Sequence, residues 1–225
     1  MDNTHKEAIQ NTSTPVADRV EVVVYTDPLC CWSYALEPHL QQLQRECEGT
    51  MDVRYCLGGM IPDWNHYYDD VNSVSKPVQM GALWMQVREL TGTYLYDRIW
   101  IDDPPASSYP ACIAVKCAGL QSLEAGKEYL ALLRVAAMTE GRNIAKNDTL
   151  LDLARKMPRD FNVDKFCKGL LSGAGKPAFR KDLEEVRKNQ ISRFPTITLK
   201  TQKAGIMING FKKFDYLYEA LLKVI

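Results

Sequence analysis

Val20-Glu21-Val22-Val23-Val24-Tyr25, closed by Asp27-Pro28 and followed by Leu29-Cys30-Cys31-Trp32-Ser33-Tyr34-Ala35-Leu36-Glu37-Pro38, is the stretch on which the reading of this chain turns. The first six residues are rich in β-branched side chains and nearly continuous in apolar content, the pattern of a strand covered on both faces. From Trp32 to Glu48 the apolar residues Trp32, Leu36, Leu40 and Leu43 recur at spacings of three and four, which predicts a helix stopped at Gly49. Met51 to Leu57 then alternates as a second strand and is ended by Gly58-Gly59. Strand, helix and strand in that order make a βαβ unit.

Further along the chain the period changes. From Val74 to Gln190 it is helical, with breaks near Gly92, Asp103-Pro104-Pro105, Gly126, Gly141-Arg142-Asn143, Pro158 and Gly173 to Pro177. About five or six helices are expected there. Thr196–Lys200 and Ala204–Asn209 are two short β-like runs at hairpin spacing, and Phe214–Ile225 closes the chain as an amphipathic helix. The predicted class is α/β, a thioredoxin-like βαβ…ββα order with a large all-helical domain inserted in the middle. The expected divisions are a frayed tail at 1–19, a thioredoxin-like domain at 20–60 and 191–225, and the helical insertion at 61–190. Neither repeats nor low-complexity segments are visible.

Composition narrows the function classes. With 225 residues, 46% hydrophobic and 25% charged, the chain is neither disordered nor fibrous. Lys+Arg 28 against Asp+Glu 28, at a pI near 6.8, supplies no overall electrostatic footprint for nucleic acid or an anionic membrane. No stretch reaches the ~18 consecutive apolar residues of a membrane helix. Met1 to Val16 is polar and lacks the apolar core of a secretory signal, so a cytoplasmic location is expected. In a reducing cytosol the seven cysteines are expected to be free thiols.

Cys30 falls where a strand gives way to a helix. Unpaired amides and the positive end of the dipole favour an anion there, so its pKa is expected below the ~8.5 of a free thiol. The rival reading is that Cys30 and Cys31 only fill space, as buried cysteines often do. Pro38, inside the helix, costs ~3 kcal/mol in a lost hydrogen bond and a kink. Phe194-Pro195-Thr196 precedes the third strand, and Pro195 reads either as a cis residue exposing backbone to an extended peptide beside Cys30 or as an ordinary strand-start proline.

Asp27-Pro28-Leu29-Cys30-Cys31-Trp32-Ser33 with Leu36-Glu37-Pro38 resembles the D-P-x-C-x-W-C…L-E-P segment of the cytosolic DsbA-like thioredoxin-fold family, often labelled predicted disulfide isomerases. The resemblance continues through Leu57-Gly58-Gly59-Met60, Ser108 to Ala118, Glu128 to Asn143 and Phe194-Pro195-Thr196. It implies a thiol-disulfide oxidoreductase or isomerase with Cys30 as nucleophile and a cis Pro195 shaping the substrate groove. Cys31, Trp32, Phe194, Thr196, Gly58 and Gly59 are the expected substrate contacts. Ser33 stands where the family has its resolving cysteine and cannot form a disulfide. Cys31 is an unsuitable substitute, since a disulfide between neighbours needs strained geometry. The implied chemistry is a one-thiol cycle: Ser33 donates a hydrogen bond to the thiolate, a protein or peptide disulfide is the substrate, and glutathione serves as co-substrate. Two rivals stand beside it. One branch of the family is an adaptor that delivers a transcription regulator to the ClpXP protease, and the kappa-type glutathione transferases and the related isomerase share the plan but usually carry serine at the position of Cys30.

The remaining candidates favour packing. Cys47, Cys56, Cys112, Cys117 and Cys167 read as core or helix-face residues. His5, His39 and His66 form neither H-E-x-x-H nor a set with paired C-x-x-C, so no metal is expected. Trp64, His66, Tyr67, Tyr68, Trp84, Tyr94, Tyr96 and Trp100 either line a groove or pack the core, with packing favoured. Gly58-Gly59 either permits a close backbone approach or makes a turn. Lys212-Lys213 reads as a solvated turn.

Overall fold

The computed structural model describes residues 19–225. The expected 1–19 tail therefore lies outside the described residues except for Arg19, whose guanidinium donates to Met51 O at 2.8 Å and pairs with Asp52. β1 (Val20–Thr26), α1 (Cys31–Glu46) and β2 (Met51–Leu57) form the βαβ unit, and β3 (Thr196–Lys200), β4 (Gly205–Asn209) and α9 (Phe214–Leu222) form the ββα unit. The four strands make one sheet in the order β2-β1-β3-β4; β1 is parallel to β2 and antiparallel to β3, and β3 is antiparallel to β4. This is a thioredoxin-like sheet.

The side-chain alternation of a strand decides what each face meets. Val20, Val22 and Val24 of β1, with Ile197, Leu199 and Ile208, pack under Leu36, Leu40 and Leu43 of α1 and Leu217 and Leu221 of α9. Val23 and Tyr25 point the other way, to Cys56 and Ile191. β1 is thus buried on both sides, as its unbroken β-branched run requires, and Glu21 is its one exposed residue.

Seven helices lie between β2 and β3: α2 (Pro77–Thr91), α3 (Ile99–Asp102), α4 (Tyr109–Gly119), α5 (Leu123–Met138), α6 (Asn147–Ala154), α7 (Val163–Ser172) and α8 (Lys176–Lys188). That exceeds the five or six expected, because a single turn at α3 has no visible period. The expected break at Gly126 is also corrected: Gly126 sits inside α5, where a Cβ would lie 3.2 Å from the Cα of Gly119 on α4. There glycine serves close helix packing, and Ser122 caps the new helix by accepting the Ala125 N–H.

The inserted helices share a core with the loops at one end of the sheet. Leu29, Cys31 and Ala35 from the start of α1, and Leu57 and Ile61 from the end of β2, pack with Trp84, Trp100, Cys112 and Tyr129 of the helical block. The loops at the carboxyl ends of β1 and β2 are therefore held between both parts of the molecule.

Candidate functional site

Asp27 organises these loops. Its buried carboxyl accepts the Leu29 N–H at 2.8 Å, the Met60 N–H at 2.7 Å and the Ser108 hydroxyl at 2.8 Å, and the Cys112 thiol lies 3.6 Å away. Burial pushes its pKa up, against the pull of those donors. With the turn so fixed, the Cys30 N–H reaches Asp27 O at 3.1 Å and Cys30 takes extended backbone angles as the N-cap of α1. The carbonyl of Cys30 accepts the Tyr34 N–H at 3.1 Å, which starts the helix and leaves the amides before it without helical partners.

Cys30 is 4% exposed. Its thiol donates to Phe194 O at 3.4 Å, and the Phe194-Pro195 bond is cis. Ser33, one turn into α1, is 2% exposed, and its Oγ has no hydrogen-bond partner among the described residues. As a thiol, Cys30 spends its hydrogen on Phe194 O and offers Ser33 little. As a thiolate it supplies the acceptor that the buried hydroxyl lacks.

The expectation of a lowered Cys30 pKa is corrected. Burial pushes the thiol up; the Ser33 hydroxyl and amide and the Arg134 charge oppose that push, while Asp27 adds to it. A helix N-terminus contributes about 0.3–1 kcal/mol, which does not repay the loss of water around a sulfur anion. Cys31 is pushed well above the ordinary thiol value, by burial first and by Cys30 second. We expect alkylation of Cys30 by iodoacetamide to rise with pH along a curve whose midpoint lies above the ~8.5 of a free thiol. A midpoint below that value, measured by mass spectrometry of the labelled peptide, would refute the burial account.

A groove of about 1050 Å³ opens over the thiol. Cys30, Cys31 and Trp32 line it, with Arg193, Phe194, Phe211 and Lys212 among the residues from the β3 and β4 ends and Tyr67, Tyr68 and Leu90 among those from the helical block. Trp32 meets the ring of Phe211 at 6.0 Å, and His39 meets the same ring edge-on at 5.5 Å. Three of the expected substrate contacts stand behind this lining. The Thr196 hydroxyl donates within the loop, to Arg193 O at 2.8 Å, and lies 3.0 Å from Asn209 Oδ1. At Gly58 a Cβ would sit 1.8 Å from the Phe194 ring, and at Gly59, with φ +60°, 2.6 Å from that of Tyr109. Close approach, the first of the two readings of this pair, is what the geometry shows.

Gly58→Ala accordingly forces the Phe194 ring aside and draws its carbonyl off the thiol. We expect any thiol-exchange activity of Cys30 to fall at least roughly tenfold, with a stability loss of about 1–3 kcal/mol from overpacking. Unchanged activity would show that the carbonyl at Cys30 has no part in the reaction.

The aromatics divide between the two readings. Trp84 and Trp100 are core residues packed edge to face at 5.3 Å, and Trp64 joins them through Trp100 while donating to Pro105 O. Tyr67 and Tyr68 line the groove. His66 pairs with Asp63, and no cluster of three or more metal-ligating side chains occurs among the described residues.

Sequence reasoning missed the polar supports. Arg134 of α5, 2% exposed, donates to Glu37 Oε2 at 2.7 Å and to Thr26 Oγ1 at 2.5 Å, and the Tyr55 hydroxyl donates to Glu37 Oε1 at 2.6 Å. The available signal was a lone charge in the apolar run Leu130 to Met138. Asp182 of α8 accepts the Leu57 N–H at 2.6 Å and pairs with Lys116 of α4, fixing the end of β2.

A family model described as Thioredoxin matches residues 23–219. Among curated proteins, the ClpXP adapter protein SpxH of Halalkalibacterium halodurans is 27% identical over 207 residues, covering 91% of this chain and 67% of its own length. Among solved structures, a candidate protein disulfide isomerase from Nitrosomonas europaea superposes with a TM-score of 0.75 at 19% identity, covering 92% of this chain and 97% of its own. The cytosolic disulfide reductase DsbM of Pseudomonas aeruginosa, solved with GSH, superposes with a TM-score of 0.67 at 22% identity, covering 91% and 100%. Among the described residues no helix is long and apolar enough to cross a membrane.

Proposed function

Because the chain belongs to the thioredoxin family whose model spans residues 23–219, we propose that it is a thiol-disulfide oxidoreductase of the cytosol with one nucleophilic cysteine. The observation that carries this reading is the Cys30 thiol at the N-cap of α1, 3.4 Å from Phe194 O and on the floor of an open groove, with Ser33 in place of a second cysteine. Cys30 loses its proton and attacks one sulfur of a substrate disulfide, forming a mixed disulfide and releasing the other sulfur as a thiolate. A glutathione thiolate then attacks the mixed disulfide, which returns Cys30 and leaves the substrate joined to glutathione. Ser33 Oγ and the free amides of the first helical turn stabilise the sulfur anion at the start and end of each cycle.

Turnover of a peptide disulfide should therefore depend on glutathione. Ser33→Cys restores a C-x-x-C pair and should let a single turnover release its substrate without glutathione, because the added thiol displaces the substrate and forms an internal disulfide with Cys30, which an external thiol must reduce before the next cycle. Turnover of the unaltered protein that is independent of any added thiol would refute the one-thiol cycle.

The adapter name of the curated relatives favours a second reading, in which the groove binds a protein and redox turnover is absent. It predicts an inactive unaltered protein and gain of activity only in Ser33→Cys.

A further inference from the structure

Although acidic and basic residues balance over the whole chain, Arg193, Lys200, Lys203, Lys212 and Lys213 fall in a stretch, from Asn189 to Phe214, that contains no Asp or Glu. None of the five is in an ion pair among the described residues, although Lys200 stands opposite Glu21 in the β1–β3 register. Four are exposed, and Lys212 lies over the Tyr216 ring at 4.9 Å. Arg193 and Lys212 line the groove at Cys30, and Lys200 and Lys203 lie at the opposite, hairpin end of β3 and β4.

β4 is the edge of the sheet. The Gly210 N–H donates to Pro195 O and the Thr201 N–H to Ala204 O, each at 2.8 Å. In the register that pairs Thr198 with Met207, antiparallel alternation then turns the N–H and C=O of Gly205, Met207 and Asn209 away from β3. Outside the β3–β4 ladder these groups have no backbone partner among the described residues. Ile208 faces the core under α1 and α9, whereas Met207, on the opposite face, is 49% exposed.

We propose that the β4 edge is a docking site for an acidic, extended segment of a partner protein, which adds as a fifth strand and sets its carboxylates against these five cations. The three outward N–H and C=O pairs supply main-chain hydrogen bonds, Met207 supplies an apolar contact, and the local excess of positive charge selects the partner. Lysines flanking an edge strand also deter self-pairing, but that role alone predicts no affinity for an acidic strand. The inference goes beyond the thiol chemistry and does not require it.

The test uses a fluorescein-labelled peptide of eight residues alternating Glu and Val, without cysteine, followed by anisotropy. Binding should weaken roughly tenfold in Lys200→Glu/Lys203→Glu and again in about 0.3 M salt. It should vanish in Met207→Pro, which removes an outward N–H without breaking the β3–β4 ladder, and also with a peptide N-methylated at alternate residues, which decides the matter if that variant does not fold. Cys30→Ala should bind as the unaltered protein does, so a failure of the thiol reading leaves this one standing. Absence of binding, binding that survives both Met207→Pro and N-methylation, or tighter binding of an oligothymidylate of equal charge would overturn the proposal.

Discussion

Cys30→Ala should abolish the disulfide exchange proposed for this chain, leaving less than about 1% of the unaltered rate, while the protein remains folded. The change removes a sulfur that is 4% exposed and one hydrogen bond, to Phe194 O. A neutral bond of that kind contributes about 0.5–1.5 kcal/mol, which a domain of ordinary stability tolerates. Of the other cysteines only Cys31 lines the groove; Cys47 and Cys167, though partly exposed, do not. Cys31 packs with Leu29 and Ala35 against the helical block, and burial holds its thiol protonated. Cys112 and Cys117 are buried in α4, and Cys56 is buried in β2. Exchange of a peptide disulfide, followed with and without glutathione, measures the effect. Activity that survives in the variant would remove Cys30 from the chemistry and the one-thiol cycle with it.

Arg134→Met should cost about 3–5 kcal/mol of stability, the range for removing one member of a buried ion pair. Methionine fills most of the volume, so the loss is electrostatic: the Glu37 carboxylate keeps only the Tyr55 hydroxyl, and Thr26 loses its donor. Adding Glu37→Gln removes the stranded charge and should recover part of the loss, which separates pairing from packing. Urea unfolding of the unaltered protein and the two variants decides it. A single-variant loss below about 1 kcal/mol, or a double variant no more stable than the single, would contradict this account. Arg134 also counteracts the upward push on Cys30, so the alkylation midpoint of the single variant should move higher still.

What the sequence made legible was local. The β-branched run of β1 needs both faces covered, and the alternation of β2 and the hairpin spacing of β3 and β4 name their partners, so the sheet could be read with errors of a residue at the ends. Cys30, Ser33 and the Phe194-Pro195 pair were legible because each belongs to a short motif. Gly126 was misread because a glycine chosen for its small size looks, in sequence, like one chosen for its freedom. The sign of the Cys30 shift was out of reach, since the water around the thiol is displaced by residues that no local pattern connects to it. The same holds for Arg134: its isolation in an apolar helix was visible, but Glu37 lies 97 residues away.

The contact between the Cys30 thiol and the Phe194 carbonyl spans 164 residues. On a ribosome adding 5–20 residues per second, that separation corresponds to roughly 8–33 s of synthesis. Throughout that interval the growing chain carries Cys30 without the carbonyl that it meets in the folded protein. Protection of the sulfur is therefore among the last features acquired as the chain is made, and it arrives only with the final strands of the sheet.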